Sequence, residues 1–196
     1  MIHNSFISLS LTTIQEYLDA AKMCIENQKQ DNGIYGMAAL VLLCSAIDAI
    51  GSYYKKEPDG SYKFDSQVDL ENLKYSVENH FRAVYKEFFS KNNFPEMSNL
   101  DENSFIATVY TEDRNKATHN AVVNNTISRD DAKTVITEKG PNGNILYINV
   151  LNHCVNIAFE QFKTNHPGLS VSEQANPASA TTGVTASQSV QISNQS

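Results

Sequence analysis

Residues 35–54 read YGMAALVLLCSAIDAIGSYY, and nearly every position in them is apolar. Asp48 is the only charged residue of this stretch. Because this charge interrupts it, the stretch falls short of the ~20 uninterrupted apolar residues that a membrane span needs. A helix that is apolar on nearly every face must instead be surrounded by other elements. The stretch therefore predicts the central helix of a bundle.

Four further helices are predicted around the central one. A capping-box spacing, Thr13-x-x-Glu16, predicts that the first of them begins near Thr13. Apolar residues at intervals of three and four predict a third helix at about 68–90, a fourth from about 100 to 119, and a last at 150–162. The predicted buried faces comprise Ile14, Leu18, Ala21 and Ile25 in the first helix, Leu70, Leu73, Val77, Phe81, Val84 and Phe88 in the third, and Leu151, Cys154, Val155, Ala158 and Phe162 in the last.

The hydrophobic period changes to two between the fourth and the last helix. The period-two pattern occurs at residues 134–137 and 145–148. These segments flank the turn-forming sequence Gly-Pro-Asn-Gly-Asn at 140–144. This arrangement predicts a β-hairpin. The predicted fold class is therefore mainly α, a compact bundle of about five helices with a small β-hairpin before the last helix.

Residues 168–196 differ in composition from the rest of the chain. They include seven Ser and three Thr, no aromatic residue, and a single charge at Glu173. Such a segment cannot bury enough apolar surface to offset the entropy lost on ordering it. We therefore predict a helical domain at residues 1–167 and a disordered tail, rich in Ser, Thr, Ala and Gln, at residues 168–196.

The overall charge disfavours one mode of nucleic-acid binding. The chain has 15 Lys and Arg against 22 Asp and Glu, a formal net charge of −7. Proteins that lie along duplex nucleic acid use a broad cationic face, which this composition does not favour. A local basic site is still compatible with it.

The cysteines and the first residues of the chain bear on the cellular compartment in which the protein is expected. Cys24, Cys44 and Cys154 have no Cys-x-x-Cys spacing, and each lies in an apolar helical context, so we predict small buried hydrophobes. The first six residues show no basic region that leads into an apolar one, as a secretory signal would. We expect a cytoplasmic protein with no membrane association.

One constellation of residues with catalytic potential lies at 114–120, where the sequence reads Arg-Asn-Lys-Ala-Thr-His-Asn. Arg114 followed by Asn115, with His119 five residues after the Arg, resembles the Arg-x4–6-His motif of the HEPN superfamily. In that family the residue after the Arg is usually Asn, Asp or His. HEPN domains are compact helical bundles in which the motif follows an apolar second helix, similar to residues 38–48 here. The resemblance covers about residues 10–165, and the motif is its specific part.

The resemblance implies a metal-independent endoribonuclease that needs no cofactor and acts in a toxin or defence setting. Arg114 would stabilise charge on the phosphate, and His119 would move protons, while a 2′-hydroxyl of RNA attacks the adjacent phosphate. The products would carry 2′,3′-cyclic phosphate and 5′-hydroxyl ends. A homodimer that brings two motifs together is implied, as is an antitoxin or other protein partner. Toxin members that pair with a small nucleotidyltransferase often carry Tyr two residues after the His, where this chain has Ala121.

Three further residues are predicted to support the motif. Asn115 and Asn120 can donate hydrogen bonds to a phosphate, or they can cap a helix end. Asp48 requires a partner because an unpaired buried carboxylate is costly. We expect Asp48 to orient the Arg or the His of the motif; the alternatives are a bond to Tyr53 or another hydroxyl, or a position near solvent.

Two alternatives to catalysis stay open at this stage. Many HEPN domains are non-catalytic modules that bind a nucleotide or a protein partner, and a helical interaction protein without RNA fits the same composition. In an α-helix, Arg114 and His119 lie about 140° apart. They share one face only if the helix ends near Thr118 and His119 turns back, and a dimer would ease this geometry. His80, on the third helix, is predicted to be at the surface or half-buried.

Overall fold

Helices make up most of the computed structural model, which describes residues 2–27, 29, 33–65, 77–91, 94–97, 100–114, 125–141 and 143–169. The mainly helical class predicted from the sequence is confirmed. A π-helical turn, Tyr85–Phe89, continues the third helix, and a longer π-helical segment, Ile106–Arg114, continues the fourth. The helices are α1 (Ile2–Glu26), α2 (Gly36–Gly51), α3 (Val77–Val84), α4 (Glu102–Phe105) and α5 (Ile148–Asn165).

The central position predicted for the second helix is confirmed. α2 packs against α1, α3, α5 and the π-helical segment Ile106–Arg114. A helix with neighbours on so many sides keeps little surface for polar residues, which explains its almost continuous apolar sequence. The fully buried members of α2 include Ala39, Leu40, Leu43, Cys44, Ala46, Ile47 and Ile50.

The buried faces predicted for the outer helices are largely confirmed. All four predicted residues of α1 and all five of α5 are at most 4% exposed. In α3 and its π-helical turn, Phe81, Val84 and Phe88 are buried, and Val77 is partly buried against the same core. Leu70 and Leu73, together with the start predicted for that helix, lie outside the described residues.

The predicted start of the first helix is wrong. α1 begins at Ile2 rather than near Thr13. Residues 2–12 contain no Gly or Pro, so nothing in them prevents the helix from extending toward the N-terminus. A capping-box spacing inside a continuous helix therefore has no meaning as a start signal.

The placement predicted for the β-hairpin requires correction. The isolated two-stranded hairpin consists of β1 (Tyr54–Lys56) and β2 (Tyr62–Phe64), and it lies between α2 and α3. Its turn contains Gly60 at a φ of 82°, and Asp59 accepts hydrogen bonds from the backbone N–H and the hydroxyl of Ser61. Strands of three residues are too short for the period-two pattern to reveal them.

The strands before the last helix form a three-stranded mixed sheet instead. β3 (Thr126–Ser128) pairs in parallel with β5 (Gly143–Tyr147), and β4 (Thr137–Gly140) pairs antiparallel with β5. The first predicted strand, at 134–137, is therefore displaced by three residues toward the C-terminus. Ile136, just before β4, is fully buried, and its carbonyl accepts a 2.8 Å hydrogen bond from the N–H of Tyr147 in β5.

The end of α5 packs against the β1–β2 hairpin through aromatic rings. The imidazole of His166 stacks on Phe64 with ring centroids 3.6 Å apart, and its Nε2 shares a 3.1 Å hydrogen bond with the hydroxyl of Tyr54. Burial lowers the pKa of His166 below the ordinary value of about 6.5, although the negative charge of Glu87 opposes this shift. His166 therefore belongs to the packing of the hairpin.

We expect this histidine to make stability depend on pH. Because its folded-state pKa is lowered, the unfolded chain binds its proton first as the pH falls through about 6.5, and the folded state loses stability below that value. Urea unfolding of the wild type at pH 8, 7, 6 and 5 should show a decreasing free energy of unfolding toward acid. The decrease should be smaller in His166→Asn, and His153→Asn, at an exposed position of α5, should behave as wild type. An equal slope in His166→Asn would contradict this assignment.

The predicted small, buried cysteines are confirmed at two positions. Cys44 and Cys154 are buried, and Cys24 is partly buried against the same core. Burial raises the pKa of the Cys154 thiol to about 12, with a contribution from the charge of Glu96, so this thiol is protonated at neutral pH.

The predicted boundary between the helical domain and the tail lies close to the last described residue. Of the predicted tail at 168–196, only Gly168 and Leu169 are described; residues 170–196 lie outside. Pro167–Leu169 form a 3₁₀ turn in which Leu169 is buried, so core packing extends to this residue. Within the described part of the chain, no helix is long and apolar enough to cross a membrane.

Candidate functional site

A cavity of about 370 Å³ lies between α1, α2 and α3. Four of its described lining residues come from α2 and its C-terminal cap, two from α3 and one from α1. The described part of its lining therefore comes from three packed helices. The described lining residues are Tyr17, Ser45, Asp48, Ala49, Ser52, Val77 and His80.

The polar residues of the cavity form one stripe along α2. Ser45, Asp48 and Ser52 are spaced by three and four residues, so they lie on one face of the helix. They are the polar members of an otherwise apolar stretch, and this face of α2 points into the cavity and not into the core.

An aspartate–histidine hydrogen bond joins the two walls of the cavity. Oδ1 of Asp48 lies 2.6 Å from Nδ1 of His80. An ionised carboxylate only accepts hydrogen bonds, so Nδ1 donates and the carboxylate orients the ring. The residue His80 is only 8% exposed, and the prediction that it lies at the surface or half-buried is therefore wrong.

A glycine allows this hydrogen bond to form. Gly51, the last residue of α2, packs directly against the backbone of α3, since a Cβ at this position would lie 2.3 Å from the carbonyl oxygen of His80. Only a residue without a side chain permits two helices to approach so closely. This contact holds the start of α3 against α2, which buries His80 next to Asp48.

The two serines present oxygen lone pairs to the cavity. The hydroxyl of Ser45 donates its proton to the carbonyl of Val41 at 2.9 Å, and the hydroxyl of Ser52 donates to the carbonyl of Ala49 at 2.7 Å. A hydroxyl has one proton and two lone pairs. Because both protons bond to backbone carbonyls, each serine can act only as an acceptor toward the cavity.

The predicted Arg–His motif lies at the border of the described residues. The backbone of Arg114 is described as the last residue of the π-helical segment Ile106–Arg114. The side chain of Arg114 lies outside the described part, and so do Asn115, His119 and Asn120. Their predicted roles therefore stay predictions.

The segment that leads to the motif packs beside the cavity helices. Ile106–Arg114 contacts both α2 and α3, and the ring of Tyr110 lies 5.2 Å from the ring of Phe81. Phe81 follows His80 in the chain. The backbone of Arg114 therefore lies about one helical turn after Tyr110, whose ring contacts the residue next to His80.

The sequence identifies Asp48 as a candidate but does not identify its described partner, His80. Helical periodicity alone does reveal that Ser45, Asp48 and Ser52 form a polar stripe. No comparable signal identifies His80, because its partner is 32 residues away on another helix. The predicted role of Asp48 in orienting the motif remains a prediction beside this observed contact.

No described group of side chains forms an evident metal site. Within the described ranges, no three His, Cys, Asp or Glu side chains are close enough together to hold a metal ion. Comparison of the chain with protein-family models, curated proteins and solved structures found no match.

Proposed function

We propose that this protein is a HEPN-like, metal-independent endoribonuclease that cleaves RNA by transesterification. The 2′-hydroxyl oxygen attacks the adjacent phosphorus, and the bond from phosphorus to the 5′-oxygen breaks. His119 takes the proton from the 2′-hydroxyl, and the protonated imidazole then gives it to the leaving 5′-oxygen, while Arg114 stabilises the charge on the phosphorane. The products are a 2′,3′-cyclic phosphate and a 5′-hydroxyl.

The π-helical segment is the observation that carries the proposal. In a π-helix the hydrogen bonds join residues five apart, and such turns occur frequently at functional sites. This segment ends at Arg114, the first residue of the motif, so a helix type that is frequent at functional sites leads directly into it.

The packing of this segment adds a second line of support. It lies against α2 and α3, the helices that carry Asp48 and His80. A rigid helical base supports the precise geometry that catalysis needs better than a free loop does. We propose that Asp48, Asn115 and Asn120 support the motif, with the amides as hydrogen-bond donors to the phosphate.

A non-catalytic HEPN-like module that binds a nucleotide or a protein partner is the second candidate. The net charge of −7 favours it, because catalysis on long RNA normally profits from an attractive positive field. In this alternative, Arg114 would bind a single phosphate group without cleavage.

The proposed setting follows the same family resemblance. We propose a cytoplasmic protein that forms a homodimer with two motifs at one site, in a toxin or defence context. An antitoxin or other protein partner would then control its activity.

We expect Arg114→Ala and His119→Ala each to lower the rate of RNA cleavage at least about 100-fold, because each removes a group that acts in the transition state. The measurement maps new 5′-hydroxyl ends after incubation of total RNA with the purified chain in EDTA. Arg129→Ala and His153→Ala serve as matched controls at exposed positions, where Arg129 pairs with Asp131.

Each outcome of this experiment separates the candidates. Cleavage by the wild type and by both controls, with its loss in the two motif variants, supports the nuclease. If the wild type creates no 5′-hydroxyl ends at any concentration, catalysis is refuted. Nucleotide binding that depends on Arg114 would then favour the binding module.

A further inference from the structure

α3 and the π-helical segment that ends at Arg114 run in opposite directions. The hydroxyl of Tyr85, in the π-helical turn that continues α3, donates a 2.7 Å hydrogen bond to the carbonyl of Leu100, which precedes the segment. Phe81, one turn earlier in α3, packs instead on Tyr110, near the end of the segment, with ring centroids 5.2 Å apart. The beginning of α3 therefore lies at the same end of the structure as the backbone of Arg114.

This direction brings the cavity between α1, α2 and α3 to the side of the Arg–His motif. Val77 and His80, at the beginning of α3, both line the cavity. Val77 lies about one helical turn before Phe81, and Arg114 lies about one turn after Tyr110, the residue that Phe81 contacts. A molecule in the cavity is therefore placed at the end of the structure where the motif begins.

The serines determine which groups a ligand must offer to the cavity. The hydroxyls of Ser45 and Ser52 donate to the carbonyls of Val41 and Ala49, so toward the cavity each serine only accepts. The two serines are seven residues apart on α2, a rise of about 10 Å, so they meet different parts of a ligand. The described lining residues include neither Lys nor Arg, so a phosphate group finds no such cation there. The cavity therefore favours an uncharged group with N–H or O–H donors.

The remaining described lining suits a flat ring. Tyr17 is its aromatic member, and nucleobases stack on aromatic side chains. Ala49 and Val77 add apolar surface, while Asp48 and His80 are bonded to each other at 2.6 Å. A volume of about 370 Å³ is within the usual range for small-molecule sites. A nucleobase combines apolar faces with a polar edge, as this lining requires.

We propose that this cavity binds one base of the RNA substrate, next to the cleaved bond, and that it favours a base with an exocyclic amino group. The inference rests on the proposed endoribonuclease function. The base stacks on Tyr17, its amino group donates a hydrogen bond to one serine oxygen, and a ribose hydroxyl donates to the other. Uracil has a carbonyl oxygen where cytosine has its amino group, so it would place an acceptor against an acceptor.

Nucleosides test the base site without the motif, because they contain a base and a ribose but no phosphate. Cytidine, uridine, adenosine and inosine are titrated into the full chain by calorimetry at neutral pH. The two members of each pair, cytidine and uridine or adenosine and inosine, have nearly the same shape but carry an amino group or a carbonyl at the same position. We expect cytidine and adenosine to bind 1:1 with a Kd below about 1 mM, and uridine and inosine to bind at least about 10-fold more weakly.

Variants with matched controls assign the binding to this cavity. Ala49→Leu fills the cavity and should abolish binding, whereas Ala38→Leu adds the same volume at an exposed position of α2 and should bind as wild type. The double variant Ser45→Ala, Ser52→Ala removes both acceptors and should bind cytidine and uridine about equally. Ser90→Ala is its control, because this hydroxyl also donates to the carbonyl four residues earlier but does not line the cavity.

Several results would overturn the base site. They are the absence of saturable nucleoside binding, equal binding of cytidine and uridine by the wild type, or an equal loss of binding in Ala38→Leu. Thermal unfolding shows whether each variant is folded, and the serine variants keep the test decisive if Ala49→Leu is not.

Mapping of new 5′-hydroxyl ends then distinguishes the base site from the nuclease itself. The wild type should cleave next to adenine or cytosine in preference to uracil, and the ends made by Ala49→Leu should lack this preference. Cleavage without nucleoside binding refutes the base site and leaves the nuclease in place. Nucleoside binding without cleavage supports the base site and refutes the nuclease.

Discussion

Gly51→Ala is expected to lower the free energy of unfolding by about 3 kcal/mol, although alanine is the better helix former. In an exposed helix this substitution would stabilise by up to about 1 kcal/mol. Here the new Cβ would lie 2.3 Å from the carbonyl oxygen and 2.6 Å from the Cα of His80. These are backbone atoms, so relief requires a movement of α3 away from α2.

The measurement is urea unfolding followed by circular dichroism. Gly168→Ala is the matched control, because a Cβ there meets no atom within 4 Å, and we expect a change within about 0.5 kcal/mol. The displaced helix should also separate His80 from Asp48. A Gly51→Ala variant as stable as the wild type would show that α2 and α3 are not in this close contact.

Phe162→Ala should lower the free energy of unfolding by about 4 kcal/mol, since truncation of a fully buried Phe leaves a large cavity. Phe162 is 0% exposed. Its ring joins α5 to the β1–β2 hairpin and to the π-helical turn after α3. The neighbouring rings are those of Tyr53, Tyr54, Phe64, Phe88 and His166, with centroids 5.2 to 6.4 Å away.

The same unfolding experiment tests this expectation against an exposed apolar residue. Met23 is 63% exposed on α1, and we expect Met23→Ala to change the free energy of unfolding by no more than about 0.5 kcal/mol. If Phe162→Ala costs less than about 1 kcal/mol, the aromatic contact between α5 and the hairpin does not form the core described here.

Much of the helical fold follows from local patterns in the sequence. The positions of Ile14, Leu18, Phe81, Cys154 and Phe162 in the core are implied by the helical repeat alone, since a face with this period must be buried. The limits of the elements were predicted less well. The three-residue strands of the β1–β2 hairpin and the shift of β4 depend on contacts between elements that no short window of sequence contains.

In the candidate site too, some features are visible in the sequence and others depend on the packing of the helices. The Arg114–His119 motif and Asp48 are visible in the sequence because their residue types and spacing are unusual. The contact between Asp48 and His80 is not visible, because the two residues are 32 positions apart and meet only where helices pack. The π-helical segment that ends at Arg114 is not visible in the sequence either, because α-helical periodicity does not indicate it.

Hydrophobic periodicity along single elements specifies the helical class, the central helix and the faces that form the core, so these follow from the sequence. The contact of Gly51 with the backbone of His80, and the cavity that opens beside it, arise only when the helices pack. The physical reason is that cavities and buried hydrogen bonds arise from the distance between elements. That distance depends on how the helices pack against one another, and in this chain it depends on Gly51, which has no side chain.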